Sequence, residues 1–201
     1  MITIVDYGMG NLGSIRNMLR RIGVNGLVSR DPATIRSSKK LILPGVGAFD
    51  SAMERINSYG LREVLDYKAL EERIPILGIC LGMQLLTRGS EEGCEGGLGW
   101  IPAQTRRFPS DGDLKVPHMV WNVVRRSTPS GLTEGFDIET RFYFVHSYFV
   151  SVDRPENSIF KTNYGVEFDS AIMCENIYGA QFHPEKSHRF GMRLLTNFSA
   201  L

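Results

Sequence analysis

Cysteine is scarce in this chain of 201 residues: three, an odd count, at Cys80, Cys94 and Cys174. They have neither the paired spacing of a metal site nor the density of a small disulfide-stapled scaffold, which points to a reducing, cytoplasmic setting. An excess of charge of one sign is also lacking. With 23 basic and 22 acidic residues the net charge is +1, so no overall field favours nucleic acid, an anionic membrane or an acidic substrate, and any partner is recognised locally. No apolar run approaches the ~20 residues of a membrane span. The N-terminal MITIVDYGMG starts as a strand, not as a basic segment followed by an apolar stretch. A soluble, unprocessed chain is the expectation. Repeats, low-complexity tracts and linkers are missing too, and 42% hydrophobic content suits one domain, residues 1–201, with a single sizeable core.

What is present alternates in period. Ile2 to Val5 is short and β-prone; GMGNLG follows, then a stretch with Ile15, Met18, Leu19 and Ile22 on one helical face. A second strand, Gly26 to Ser29, leads through Asp31-Pro32 to KKLILPGVGAF, where Leu41 to Leu43 form a buried strand expected to stop at Pro44-Gly45. Helical spacing resumes at Met53 and Ile56, and again at Leu61, Val64 and Leu65. IPILGI is the next strand, and Cys80 starts the next helix. Strand–helix alternation over the first ~90 residues predicts an α/β fold with a parallel sheet covered on both faces. From about Ala103 onward strand-like runs take over: Gln104 to Phe108, Trp121 to Arg125, Phe142 to Val150, Ser170 to Cys174 and Ile177 to Phe182. These are expected to pair as antiparallel extensions of the same sheet. Phe190, Leu194, Leu195 and Phe198 mark a closing helix.

ILGICLGMQLL places Cys80 between Gly78 and Gly82 where an apolar strand ends. In G-x-C-x-G the cysteine occupies a sharp strand-to-helix turn whose strained backbone needs neighbours without side chains. Such an elbow lifts the sulfur above the sheet edge at a helix N-terminus, a setting that favours thiolate. Cys94 and Cys174 lack these flanks and read as small buried hydrophobes. Of the four histidines, His118, His146, His183 and His188, only His183 has an orienting partner of its own. In YGAQFHPEK, His183 and Glu185 are two apart on an extended segment, so they share a face, and Pro184 ends the ladder. A carboxylate there fixes the imidazole tautomer and stabilises imidazolium. H-P-E alone reads equally well as a polar strand end, and the triad is a joint inference from two strand termini. For the oxyanion that attack on a carbonyl creates, the N–H of Leu81 is one donor, and an N–H at Val46 or Gly47 in PGVGAF is the second. Gln84, one turn beyond Cys80, faces the same way and can hydrogen-bond a polar substrate.

GMGNLG, Gly8 to Gly13, competes as a dinucleotide-binding pattern between strand and helix, with Asp31 as a candidate ribose-binding acid. That reading leaves Cys80, His183 and Glu185 unexplained and finds no second α/β half after residue 103. Tight strand–helix packing, or a surface for a partner, accounts better for the turn.

PGVGAF, GICLGMQLL, PHMVWN, FVHSY and QFHPEKS, in that order, resemble the class I glutamine amidotransferases, and within them the glutaminase subunits of imidazole glycerol phosphate synthases. The resemblance covers essentially the whole chain. It implies a flavodoxin-like, mainly parallel sheet with flanking helices. It also implies a triad of Cys80, His183 and Glu185 that hydrolyses glutamine through a thioester. By the same resemblance Gly47, Gln84, Ser147 and Tyr148 surround the glutamine, Leu81 and the Val46–Gly47 peptide form the oxyanion hole, and no metal or organic cofactor takes part. Similar subunits dock on a (β/α)₈ cyclase that receives the ammonia, which here implies an interface through Asn11, Met119, Trp121, Tyr143 and Lys186. One position departs from the pattern: Val120 stands where glycine is expected, and a β-branched residue does not easily hold positive φ. This leaves open a paralogous synthase, one that aminates nucleotide-linked sugars, as the ammonia acceptor. A non-catalytic regulatory subunit is the reading outside the enzymes.

Overall fold

A computed structural model describes residues 1–109 and 114–201. In its first half, strands and helices alternate as their periodicity predicts: β1 (Ile2–Val5), α1 (Leu12–Arg21), β2 (Gly26–Ser29), α2 (Pro32–Ser37), β3 (Leu41–Gly45), α3 (Phe49–Ser58), α4 (Arg62–Asp66), β4 (Ile76–Cys80) and α5 (Leu81–Leu85). Local chemistry sets the boundaries. Asn11 accepts from the Ser14 N–H at the start of α1; Asp31 accepts from Ala33 and Thr34 at the start of α2, with Pro32 at its first position. The ribose-binding acid of the dinucleotide reading is therefore a helix cap. Gly8 and Gly10 both hold positive φ, and a Cβ on Gly10 would press on Pro44 and Gly45. The glycine turn thus packs closely on the end of the strand Leu41–Gly45.

The second half comprises β5 (Ala103–Arg107), β6 (His118–Val123), β7 (Arg125–Arg126), β8 (Arg141–His146), β9 (Tyr148–Val152), β10 (Ser158–Tyr164), β11 (Val166–Cys174), β12 (Ile177–Ala180) and α6 (His188–Ala200). A ten-stranded sheet runs β2-β1-β3-β4-β12-β11-β10-β7, with β9 on β11 and β5 on β9. The strands from β2 to β12 are parallel to one another, and β11, β10, β9, β7 and β5 extend them antiparallel. Several expectations need correction. The segment from Ile177 is parallel to β4, because the hairpin from β11 folds it back into the gap between β4 and β11. The segment around Trp121 lies outside the large sheet: β6 pairs with β8 as a two-stranded ribbon, from His118↔His146 to Val123↔Arg141. The run Phe142 to Val150 is two strands broken at Ser147, and β10 is a strand that the sequence pattern does not predict. β3 also continues through Pro44 and Gly45. Its pairing with β1 ends at Ile42, so the missing proline N–H interrupts no ladder on that side.

Alternate residues of the parallel strands feed two cores. Leu41 and Leu43 of β3 pack with Phe49, Met53 and Ile56 of α3 and Leu65 of α4. On the other face, Ile42, Leu77 and Ile79 pack with Ile15 and Leu19 of α1 and Leu194, Leu195 and Phe198 of α6. Burial on both faces is what a parallel sheet requires. Among the described residues no helix is long and apolar enough to cross a membrane.

Candidate active site

Register alone brings the distant motifs together. Gly45 pairs with Cys80, and Ala180 pairs with Ile79, so β3, β4 and β12 end side by side at one edge. Cys80 sits at φ 55, ψ −113, a left-handed conformation that costs a non-glycine residue about 1–3 kcal/mol. Its neighbours make room as expected: a Cβ on Gly78 would lie 2.5 Å from the Gly82 carbonyl oxygen, and one on Gly82 would lie 1.8 Å from the Leu43 carbonyl oxygen. Gly45 is equally enclosed, by the Gly82 N–H, the Tyr7 hydroxyl and Leu81. Tyr7, fully buried, donates to the Pro44 carbonyl, and burial, reinforced by the Cys80 sulfur, drives its phenol pKa upward. The elbow is thus locked to the end of β3.

A cavity of about 220 Å³ opens above these strand ends, lined by Val46, Gly47, Cys80, Leu81, Gln84, Glu92, Val145, His146, Ser147, Tyr148, His183 and Lys186. All the residues expected to hold substrate or oxyanion are on its wall. Gly47 has φ +122, and a Cβ there would strike the Met9 side chain, so the turn beside the sulfur needs its glycine.

His183 Nδ1 lies 2.8 Å from Glu185 Oε1, with both side chains almost fully buried. His183 Nε2 has no hydrogen-bond partner and is buried, and the Cys80 sulfur is close enough to perturb the imidazole. Burial pulls the His183 pKa down, but the sulfur and the Glu185 carboxylate outweigh it and push it up to about 10. No hydrogen bond joins Sγ to Nε2. The sulfur instead lies 3.9 Å from the Val145 carbonyl and 3.8 Å from Gln181 Nε2. His118 and His146 are held differently, Nδ1 of one 2.9 Å from Nε2 of the other. Burial drives their pKa values down to about 4 and about 3, and neither has a carboxylate partner. They are neutral and fully engaged, and His183 is the base the geometry offers.

Two wall residues, Glu92 and His146, and the buried Gln181 beside the Cys80 sulfur, carry no clear signal in the sequence. Glu92 accepts from the Phe49 N–H at 3.1 Å and projects a carboxylate into the cavity; burial raises its pKa, opposed by that N–H and reinforced by Asp50. In SEEGCEGG it looks like part of a solvated charge run. His146 and Gln181 were readable only once β8 and β12 were placed. Gln181 did carry a faint signal, being two residues before His183 and so on the same face of an extended segment. Cys94 corrects an expectation: it is exposed, because its loop is tied down by backbone N–H bonds from Cys94 and Glu95 to Asp50, not by side-chain burial. Cys174 is half-buried against the core, and burial raises its thiol pKa.

The five residues expected at an interface lie around the same edge. Met119 and Trp121 are 57% and 39% exposed, which excludes core packing for them. Trp121 packs edge-on to Tyr143 and stacks on His188 at 5.6 Å, and Lys186 Nζ lies 5.5 Å from the Tyr143 ring centroid. Asn11 is exposed at the start of α1, which packs against Pro184–Lys186. Val120 has no positive φ; it sits in the regular ladder opposite Phe144, a position that suits a β-branched residue. Among the described residues no group of three or more His, Cys, Asp or Glu is disposed to hold a metal ion.

The sequence profile of the family described as Glutamine amidotransferase class-I matches residues 3–200. Curated relatives include the imidazole glycerol phosphate synthase subunit HisH 2 of Methanococcus maripaludis, 51% identical with 98% of each chain covered. The subunit HisH of Bdellovibrio bacteriovorus is 47% identical and HisH 2 of Pseudomonas aeruginosa 46%, both over 100% of each chain. Among solved structures, a glutamine amidotransferase superposes with TM-score 0.74 at 18% identity, covering 100% of this chain and 98% of its own. PurLQS from Thermotoga maritima also gives 0.74 at 18%, covering 99% and 97%. These two share the fold.

Proposed function

Because the chain belongs to the class I glutamine amidotransferases, we propose that it hydrolyses L-glutamine to glutamate and ammonia and passes the ammonia to a (β/α)₈ cyclase, as the amidating subunit of an imidazole glycerol phosphate synthase in histidine biosynthesis. The observation that carries this reading is the convergence of Cys80 and His183, the latter held by Glu185, on one small cavity at the edge of the sheet.

The steps follow from the side chains. Glu92 pairs with the α-ammonium of glutamine, and Gln84, Ser147 and Tyr148 hold the rest of the substrate. The sulfur of Cys80 attacks the side-chain amide carbon; the Leu81 N–H and the Val46–Gly47 peptide take the oxyanion. His183, protonated at neutral pH by virtue of its raised pKa, gives its Nε2 proton to the departing nitrogen, and ammonia leaves. Water, deprotonated by the same nitrogen, then opens the thioester to glutamate and restores the thiolate. Glu185 fixes the imidazole through Nδ1. No metal or organic cofactor enters. The chain acts as one glutaminase domain in the cytoplasm, and Asn11, Met119, Trp121, Tyr143 and Lys186 meet the cyclase, with the exposed Met119 and Trp121 as apolar anchors.

A second reading keeps the chemistry and changes the acceptor to a paralogous synthase that aminates a nucleotide-linked sugar. Val120 favours it: its side chain is 42% exposed on the docking ribbon where the family pattern has glycine. Reconstitution separates the two. Mixed with a histidine-pathway cyclase and its nucleotide substrate, the chain is expected to support glutamine-dependent formation of imidazole glycerol phosphate. Ammonia release without that product assigns the acceptor to the second reading, and no ammonia release with any partner refutes both. Cys80→Ser is expected to abolish ammonia release while still binding the cyclase.

A further inference from the structure

Cys80 is one end of a hydrogen-bonded chain that starts on the docking ribbon, and elementary donor and acceptor rules fix each proton in it. The anchor is the Tyr148 carbonyl, which can only accept. His146 Nδ1 lies 2.7 Å from that oxygen and therefore carries a proton. The buried ring is neutral, so its Nε2 accepts, and His118 Nδ1 at 2.9 Å must donate. His118 Nε2 is then the acceptor for Asn122 Nδ2 at 3.2 Å. Asn122 cannot be flipped: the same nitrogen donates to the Asn163 carbonyl at 3.0 Å, and its oxygen accepts from the Val123 N–H. On the other side of the anchor, Gln84 Nε2 donates to the Tyr148 carbonyl and to Gln181 Oε1, each at 3.1 Å. Gln181 Nε2 is thereby turned toward Cys80 Sγ at 3.8 Å, within reach for a sulfur acceptor.

We propose that Gln181 is a positioning residue for the nucleophile, its side-chain N–H held on the Cys80 sulfur by a chain through Gln84, Tyr148, His146 and His118 to Asn122 on β6, so that contacts made at β6 bear on the sulfur. This rests on the nucleophilic role of Cys80 given above. Gln181 is fully buried beside a sulfur that takes negative charge in the reaction, and an N–H aimed at such a sulfur forms the stronger, charge-assisted kind of hydrogen bond. Asn122 belongs to the strand whose other face carries Met119 and Trp121.

Alkylation of Cys80 by iodoacetamide at neutral pH, read by mass spectrometry on the Cys80 peptide so that exposed Cys94 does not interfere, needs neither glutamine nor a partner. A failure of the glutaminase reading therefore leaves this test standing. Gln181→Met keeps the length and removes the donor; it is expected to alkylate ~10-fold more slowly, and in glutamine turnover to lower kcat with KM unchanged. Asn122→Ala, at the rim, is expected to slow alkylation ~2-fold, while Val123→Ala on the opposite face of β6 alkylates at the wild-type rate. A wild-type alkylation rate in Gln181→Met overturns the proposal. If Gln181→Met does not fold by circular dichroism, equal rates for Asn122→Ala and Val123→Ala overturn it and a slower Asn122→Ala supports it.

Discussion

At the scale of single residues, Cys80 trades backbone comfort for the position of a sulfur atom. Its φ of 55 is one that glycine adopts without cost. Cys80→Gly is therefore expected to be more stable than Cys80→Ala, by about 1 kcal/mol in urea titrations, the reverse of the usual order of these two residues in ordered structure. His183 supplies a pH signature. Its pKa is raised in the folded protein, from an ordinary 6.5 to about 10, so the stability it gains from the sulfur and Glu185 is fully present below about pH 6.5 and is lost as pH rises through about 10. The advantage of the wild type over Glu185→Gln in urea midpoint should accordingly be larger at pH 6 than above pH ~10. In turnover, Glu185→Gln is expected to lower kcat by on the order of 100- to 10,000-fold. The turn at Cys80 and the contact of His183 with Glu185 were legible in the sequence because G-x-C-x-G and H-P-E carry their own local geometry. Glu92 and Gln181 were not. A carboxylate in an acidic run and an amide in a β-prone run acquire meaning only when Asp50 pins the loop at Cys94 and Glu95 and β12 settles beside β4.

At the scale of elements, the elbow is a packing problem shared by β3, β4 and α5. A methyl group on Gly82 would overlap the Leu43 carbonyl, which is backbone in the middle of the sheet and cannot swing aside. Gly82→Ala is expected to cost more than ~3 kcal/mol, seen as a large fall in urea midpoint, whereas Gly13→Ala, with open space around its Cβ position, is expected to be neutral or slightly stabilising. The parallel half could be read because buried strands and amphipathic helices announce themselves by period. The antiparallel half was harder. β10 has register shifts between Ser158 and Phe160 and between Phe160 and Lys161, which break the two-residue alternation that would have marked it. β8 and β9 merged into one apolar run because only Ser147 separates them. That β6 and β8 leave the main sheet as a ribbon is a matter of tertiary pairing, which no local pattern encodes.

At the scale of the whole molecule, acid is expected to act through the paired histidines. Burial holds His118 near a pKa of about 4 and His146 near about 3, while both return to about 6.5 on unfolding. The unfolded chain thus binds more protons than the native one between those limits, and stability is expected to fall as pH drops from 6.5 toward 4. His118→Gln should flatten that slope in urea titrations across this range. Assembly has its own test: Trp121→Ala is expected to weaken binding to the cyclase at least ~10-fold by isothermal titration calorimetry. The ribbon of β6 and β8 has a practical corollary for anyone handling the protein by itself. Met119, Trp121 and Val123, on one face of β6, are all exposed in the lone chain, and an apolar face of that kind invites copies of the protein to stick to one another. Light scattering should therefore rise with concentration in purified stocks, and an equimolar amount of the cyclase should clear it.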